Sequence, residues 1–445
     1  MNWKLISFCS LLTLISGTAQ AQNQVAQVLK SEPVVLEKTA DVLTPPVTAF
    51  LKSKNPETAR IWVFFNDKGI LRKEQFAAAA SQVKIDEHAL ARRKKVGLES
   101  VTFADLPVSQ KYIDAIVAAG GKFRRASRWL NAASFEIPHS RLSDIAALPF
   151  VNNIRPVAGY FPERDITSEP ESVLPQFKPM AADALSYGSS YNQLQMVNAP
   201  AMHNLGFKGS GVIVAMLDTG YLKSHQAFAA AFSESRMLAE YDFIFDDGNT
   251  QNEAVDAASQ HNHGTLTWST LGGQTAGTLY GPAYGASFLL AKTEDVRSET
   301  PVEEDNWVAA LEWADSLGAD VISSSLGYSD WYSYSSFDGQ TAITSIAAGT
   351  AASLGIVVCN SMGNSGPSAA TLSAPADAFD IIACGAVDAL GYIAQFSSRG
   401  PTFDGRIKPE VCAQGVNTYC AGTSSNTFYT TASGTSLSTP LVGGG

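Results

Sequence analysis

Five short apolar runs in the second half of the chain constrain its fold most strongly: residues 212–217, 287–291, 321–322, 355–358 and 381–383. They are continuous rather than alternating, and they are too short for helices of ordinary length. Such runs belong to strands buried on both faces. Helix-length segments, such as 307–317, lie between them. Buried strands alternating with helices predict an α/β domain, a parallel sheet with helices on both faces.

The preceding region reads differently. Residues 61–65 (Ile-Trp-Val-Phe-Phe) form a run of strand length, closed by the turn signal Asn66-Asp67-Lys68-Gly69. Tyr112, Ile113, Ile116 and Val117 fall on one helical face, and Gly120-Gly121 ends that helix. A strand over 132–137 stops at Pro138. Leu142, Ile145 and Leu148 recur at helical spacing before Pro149, and a last strand covers 151–156. This order predicts a small open-faced α+β sandwich.

The chain opens with a basic residue, Lys4, then an apolar stretch over 5–15, then Ala19-Gln20-Ala21. That is the pattern of a secretory signal cut after Ala21, and it is too short to span a bilayer comfortably. No later stretch is apolar enough to cross a membrane. The expected organisation is a signal peptide (1–21), a flexible lead-in (22–56) with Pro33, Pro45 and Pro46, and the α+β unit (57–160). A Pro-, Ser- and acid-rich linker (161–186) and the α/β domain (187–445) follow.

Secretion implies an oxidising compartment. Cys9 leaves with the signal, and Cys359, Cys384, Cys412 and Cys420 remain. Disulfides and buried thiols both stay open, and the absence of C-x-x-C pairs disfavours zinc. The net charge of −11 is unevenly distributed. Residues 22–185 carry 22 Lys+Arg against 18 Asp+Glu, and 186–445 carry 8 against 24. The acidic half would repel phosphate, so nucleic acid is not an expected partner. The opposite signs favour docking of the two halves.

Four clusters carry candidate chemistry. A buried run ends at Asp218-Thr219-Gly220, and functional groups in parallel sheets gather at the carboxyl ends of strands. His261-Asn262-His263-Gly264-Thr265 holds two of the six histidines. Gly434-Thr435-Ser436-Leu437-Ser438-Thr439-Pro440 places a serine where a helix start would favour nearby negative charge. Met362-Gly363-Asn364-Ser365-Gly366 offers an amide donor just after a buried run. Each has an ordinary structural explanation on its own: a turn-capping Asp, a surface His, an N-capping Ser, a turn Asn. Their order Asp, His, Ser is one of three known orders for a catalytic triad.

At these residues the chain resembles the subtilase family over 187–445. Asp218-Thr219-Gly220, His263-Gly264-Thr265 and Gly434-Thr435-Ser436 with Pro440 are similar to its three catalytic motifs. Asn364 matches its oxyanion asparagine. Ser325-Leu326-Gly327 resembles the edge segment that binds substrate backbone, with Gly363 beside it. Phe396-Ser397-Ser398-Arg399-Gly400-Pro401 and the stretch from Asp404 to Glu410 are similar to a further family segment. The α+β unit resembles the family's inhibitory pro-domain, of ferredoxin-like type. The resemblance implies a secreted serine endopeptidase made as a self-processed zymogen. It would act on protein or peptide substrates, with its own pro-domain as intramolecular inhibitor, and would be cut within about residues 177–187. No cofactor is required, and no metal site is assigned. Calcium, which many relatives use, stays open at Asp242, Asp246, Asp247 and Asp256, whose spacing fits no loop motif. The family's sheet would also make Cys359 and Cys384 neighbours. Cys412 and Cys420, close in sequence, are the slightly favoured pair.

Some features depart from the family pattern. Leu266 follows Thr265 where a second His is usual, Leu437 and Ser438 replace Met and Ala, and Gly443 replaces Ala. The family chain continues beyond Gly445, so a fragment is expected. Glu303-Glu304-Asp305 reads either as a determinant of basic substrates or as a solvated helix start. The competing function is a catalytically inactive peptide-binding relative, with the pro-domain acting as inhibitor or chaperone.

Overall fold

The computed structural model describes residues 25–39, 41–45, 47–48, 57–158, 183–297 and 303–445. The expected signal peptide, most of the linker and the expected processing region before residue 183 lie outside them. The chain divides into two compact units, 1–84 with 100–155, and 85–99 with 156–445.

The first unit contains β1 (Thr58–Phe65), β2 (Lys122–Ser127), β3 (Ala132–Pro138) and β4 (Val151–Pro156), in the sheet order β2-β3-β1-β4. Ala59, Ile61, Val63 and Phe65 alternate along β1 and pack with Ile113 and Ile116 of helix Gln110–Ala118, and with Leu142 and Ile145 of helix Leu142–Ala146. The period of two meets the helical period of three to four, which is what makes a one-sided sandwich. All elements expected from the sequence are present. Sequence reading omitted β2, a polar edge strand (Lys-Phe-Arg-Arg-Ala-Ser) with no buried alternation to mark it.

The second unit contains β5 (Ile213–Asp218), β6 (Met237–Asp242), β7 (Gln274–Thr275), β8 (Leu279–Tyr280), β9 (Ser287–Lys292), β10 (Val321–Ser324), β11 (Val357–Ser361), β12 (Ile382–Val387), β13 (Val411–Gln414), β14 (Thr418–Ala421) and β15 (Tyr429–Ala432). Seven of them form one sheet, β13-β12-β11-β10-β5-β9-β6, and every pairing in it is parallel. Helix Asn262–Gly272 packs on helix Thr435–Gly444, and helix Glu304–Ser316 on helix Ile343–Ser353. The chain moves outward from β5 to β6, returns through β9, then crosses to β10 on the other side of β5. That reversal opens a crevice at the carboxyl end of β5, where α/β sheets bind their ligands.

Residues 85–99 were assigned from sequence to the α+β unit, yet they fold with the second unit. They carry the helix Glu87–Lys95, whose last turn is basic. Burial of its arginines against a distant carboxylate is what moves it.

Candidate active site

Asp218 ends β5 and is buried. Its Oδ1 accepts from the Thr219 N–H at 2.7 Å and bonds His263 Nδ1 at 2.6 Å, and its Oδ2 accepts from the Thr267 hydroxyl at 2.9 Å. Three contacts on one carboxylate fix its orientation. His263 lies in the first turn of helix Asn262–Gly272. Gly264 lets that helix approach β5, because a Cβ there would lie 2.2 Å from the Gly220 carbonyl oxygen. Trp268 anchors the same helix. It is fully buried, stacks on Phe228 at 3.7 Å between centroids, and meets Tyr221 and Phe288 edge-on. Such aromatic pairs add about 0.5–1.5 kcal/mol each beyond area burial.

Ser436 is the second residue of helix Thr435–Gly444, which packs against both the His263 helix and the central strands. Its hydroxyl lies 3.4 Å from the Ser325 carbonyl oxygen, a long hydrogen bond, and the Ser325 hydroxyl donates to the Ser436 carbonyl at 2.9 Å. Asn364 follows β11. Its Oδ1 accepts from the Thr435 N–H at 2.9 Å and the Thr435 hydroxyl at 3.0 Å. A backbone N–H can only donate, so this contact fixes which way the amide points. The Nδ2 is buried and has no hydrogen-bond partner among the described residues. An unsatisfied buried donor costs about 1–3 kcal/mol, unless something is bound there to accept from it. Gly363, at φ 101°, donates to the Thr435 hydroxyl at 3.2 Å, and its carbonyl accepts from Ser398 of the Phe396–Pro401 stretch at 2.9 Å.

Ser325, Leu326 and Gly327 continue β10. The Leu326 carbonyl accepts from Asn360 at 3.0 Å, and a Cβ on Gly327 would lie 2.4 Å from the Ser373 hydroxyl. These contacts hold the segment beside Ser436.

Residues 209–445 match the model of the subtilase family, and 60–170 match that of the peptidase S8 propeptide domain of Bacteroidota. The chain belongs to the subtilase family. It is 30% identical to subtilisin E of Bacillus subtilis (strain 168) over 342 residues, covering 76% of this chain and 74% of that one. It is 29% identical over 263 residues to serine protease AprX of the same organism, covering 53% and 56%. Against its minor extracellular protease Vpr the identity is 28% over 326 residues, covering 68% and 36%. This subtilase is a subtilisin-like serine endopeptidase carrying a propeptide domain. Among the described residues no helix is long and apolar enough to cross a membrane.

Among the described residues, His263 is the histidine bonded to Asp218 in this subtilase. His261 sits just ahead of the helix and is half-buried, and that partial desolvation lowers its pKa. His225 bonds the Phe428 carbonyl at 2.9 Å and His203 the Pro282 carbonyl at 2.7 Å, and burial lowers both. Thr267, the third partner of Asp218, was not singled out from the sequence. The available signal was its position four residues after His263, on the same helical face.

The acidic trio does not form a solvated helix start. Glu303, Glu304 and Asp305 are all buried. Glu304 accepts from the Tyr332 hydroxyl at 2.6 Å and the Ala158 N–H at 3.1 Å. Glu303 accepts from the Asp295 N–H at 2.5 Å, and burial together with Glu294 pushes its carboxyl well above the usual range.

Two of the four carboxylates considered for calcium already hold an internal cation. Lys292, at the end of β9 and in register with Asp218, is fully buried and pairs with Asp242 at 2.8 Å and Asp256 at 2.9 Å. Asp247 accepts from the Asn249 N–H at 2.8 Å. Among the described residues no group of three or more His, Cys, Asp or Glu gathers as a metal site. Replacing Lys292 by Met strands two buried carboxylates. Such a lesion costs about 3–5 kcal/mol, which a drop in the urea midpoint at unchanged m-value would register.

Neither expected disulfide forms. Cys359 and Cys384 lie on adjacent strands as free thiols, and burial, with the neighbouring Cys359 adding to it, pushes Cys384 well up. Cys412 is exposed on β13, and Cys420 on β14 bonds the Thr430 carbonyl at 3.7 Å.

Proposed function

We propose that the chain is a secreted endopeptidase zymogen in which Asp218, His263 and Ser436 form the catalytic triad. The carrying observation is the 2.6 Å bond from His263 Nδ1 to a carboxylate held by two further donors. It commits Nδ1 as the proton-bearing nitrogen and leaves Nε2 to take the proton from Ser436. The serine oxygen attacks the peptide carbonyl, and Asp218 stabilises the imidazolium. His263 then protonates the leaving amine, and water hydrolyses the acyl-enzyme by the same steps. The Asn364 amide and the Ser436 N–H receive the oxyanion. Ser325, Leu326, Gly327 and Gly363 line the path of the substrate backbone. Fluorophosphonate labelling tests the reading: a working triad labels rapidly at Ser436, and an inactive peptide-binding relative stays unlabelled.

The oxyanion role makes a separable prediction. The Asn364 donor gains an acceptor only when charge develops on the carbonyl oxygen. Asn364→Leu is therefore expected to lower kcat by about 10²–10³, the effect established in subtilisin itself, with KM nearly unchanged. A matching rise in KM with kcat intact would assign Asn364 to ground-state binding.

Secretion and self-processing complete the proposal. The signal at 1–21 would direct export, and the linker would be cut in cis. Tyr187 is buried beside Tyr191 and Tyr280 and marks where the second unit's core begins. Ala184 and Ser186, just ahead of it, are exposed. The mature chain is expected to begin near Tyr187, read by N-terminal sequencing of the shortened product.

A further inference from the structure

Helix Glu87–Lys95 lies within the region matched by the propeptide model, yet it folds with the second unit. Asp86 caps its start, accepting from the His88 N–H at 2.8 Å, and its last turn carries Arg92, Arg93, Lys94 and Lys95. Arg92 and Arg93 are 3% and 2% exposed, which is rare for arginine. Both pair with Asp315: Arg92 through one carboxylate oxygen, Arg93 through the other at 2.8 Å. Arg92 also donates to the Ala319 carbonyl and, at 3.2 Å, to the Leu354 carbonyl. His88 meets Asp320 at 2.6 Å.

The receiving surface is suited to cations. Asp315 stands in the last turn of helix Glu304–Ser316, where the helix dipole disfavours a carboxylate, and that turn has no basic residue. Leu354 caps helix Ile343–Ser353, so the carbonyl ends of two helices converge here. Gly318 and Gly355 follow those ends. A Cβ on Gly318 would lie 2.6 Å from Asp86 Oδ1, and one on Gly355 would lie 3.2 Å from Arg92 Cγ. Asp320 immediately precedes β10 and also accepts from the Ile213 N–H at the start of β5. The socket is therefore at the opposite end of these strands from Asp218.

We propose that this socket is a distal anchor for the pro-segment. It retains helix Glu87–Lys95 on the enzyme after the linker is cut, and its release sets how long the processed enzyme stays latent. This rests on the self-processing zymogen reading above. Before the cut the ion pairs are intramolecular. Afterwards they are part of a contact between two chains, and removing one partner of a buried charge pair acts mainly on dissociation.

The test compares full-length protein with Arg92→Gln/Arg93→Gln and with Asp315→Asn. Linker cleavage is read on denaturing gels, retention by co-elution in size exclusion, and latency by the lag before peptide hydrolysis. All three proteins are expected to cut the linker. The wild type should keep its pro-segment, and the variants should lose it with a lag shortened about 30-fold or more, the low end for losing one partner of such a pair. Cleavage in all three with equal co-elution and equal lag overturns the anchor. Failure of the wild type to cut, with Ser436 unlabelled by fluorophosphonate, overturns the zymogen reading instead. Hydrogen exchange on the unmutated chain then decides the anchor, and it also does so if a variant does not fold. Residues 87–95 should be protected together with 315–320, and exchange of 87–95 at the rate of an unstructured peptide beside a protected 304–316 overturns it.

Discussion

Full-length protein carrying Ser436→Ala is expected to accumulate uncut and to lose peptide hydrolysis by about 10⁶-fold, the loss that removing the nucleophile causes in subtilisin. The triad works as a unit. His263→Ala should therefore fall nearly as far, and the double variant should fall little further. His261→Ala is the control. It lies two residues away, but Asp218 bonds His263, so most activity should survive. Processing rate and fluorophosphonate labelling of the four proteins check this set. A dead His261→Ala beside an active His263→Ala would overturn the assignment of the base.

Asp218→Asn is expected to lower the processing and turnover rates by about 10⁴, with the fold intact. The carboxylate accepts from three donors at once, and an amide has only one acceptor oxygen for them. Either the imidazole takes the wrong tautomer or the imidazolium forms without its counter-charge. A far-ultraviolet spectrum and urea midpoint near wild type, with turnover reduced, would place the loss in catalysis. Wild-type turnover in Asp218→Asn would remove Asp218 from the mechanism.

Much of the architecture was legible because its signals are local. The runs ending near Leu217 and Ala291 read as strands buried on both faces, and the structure places them as β5 and β9, adjacent interior strands of a parallel sheet. The glycines after Asp218 and His263 were readable for a related reason: close approach of backbone to backbone leaves no room for a Cβ. The polar edge strand β2 carried no such signal, because one face is solvated and the other contributes little to the core.

The sequence by itself determined which groups are available for chemistry, in what order, and on which kind of element each sits. Strand runs, helix starts and obligatory glycines are written in neighbouring residues. Tertiary structure decided which polar groups are paired. Nothing near Lys292 announces that it neutralises Asp256, 36 residues away, or Asp242 on another strand. Nothing near Arg92 points to Asp315, 223 residues on. The acidic trio likewise reads as a solvated helix start until the Tyr332 hydroxyl and the Ala158 N–H are seen to enclose Glu304. A charge tolerates burial only when partners arrive from elsewhere in the chain, and periodicity along one segment holds no information about what the fold will bring to it.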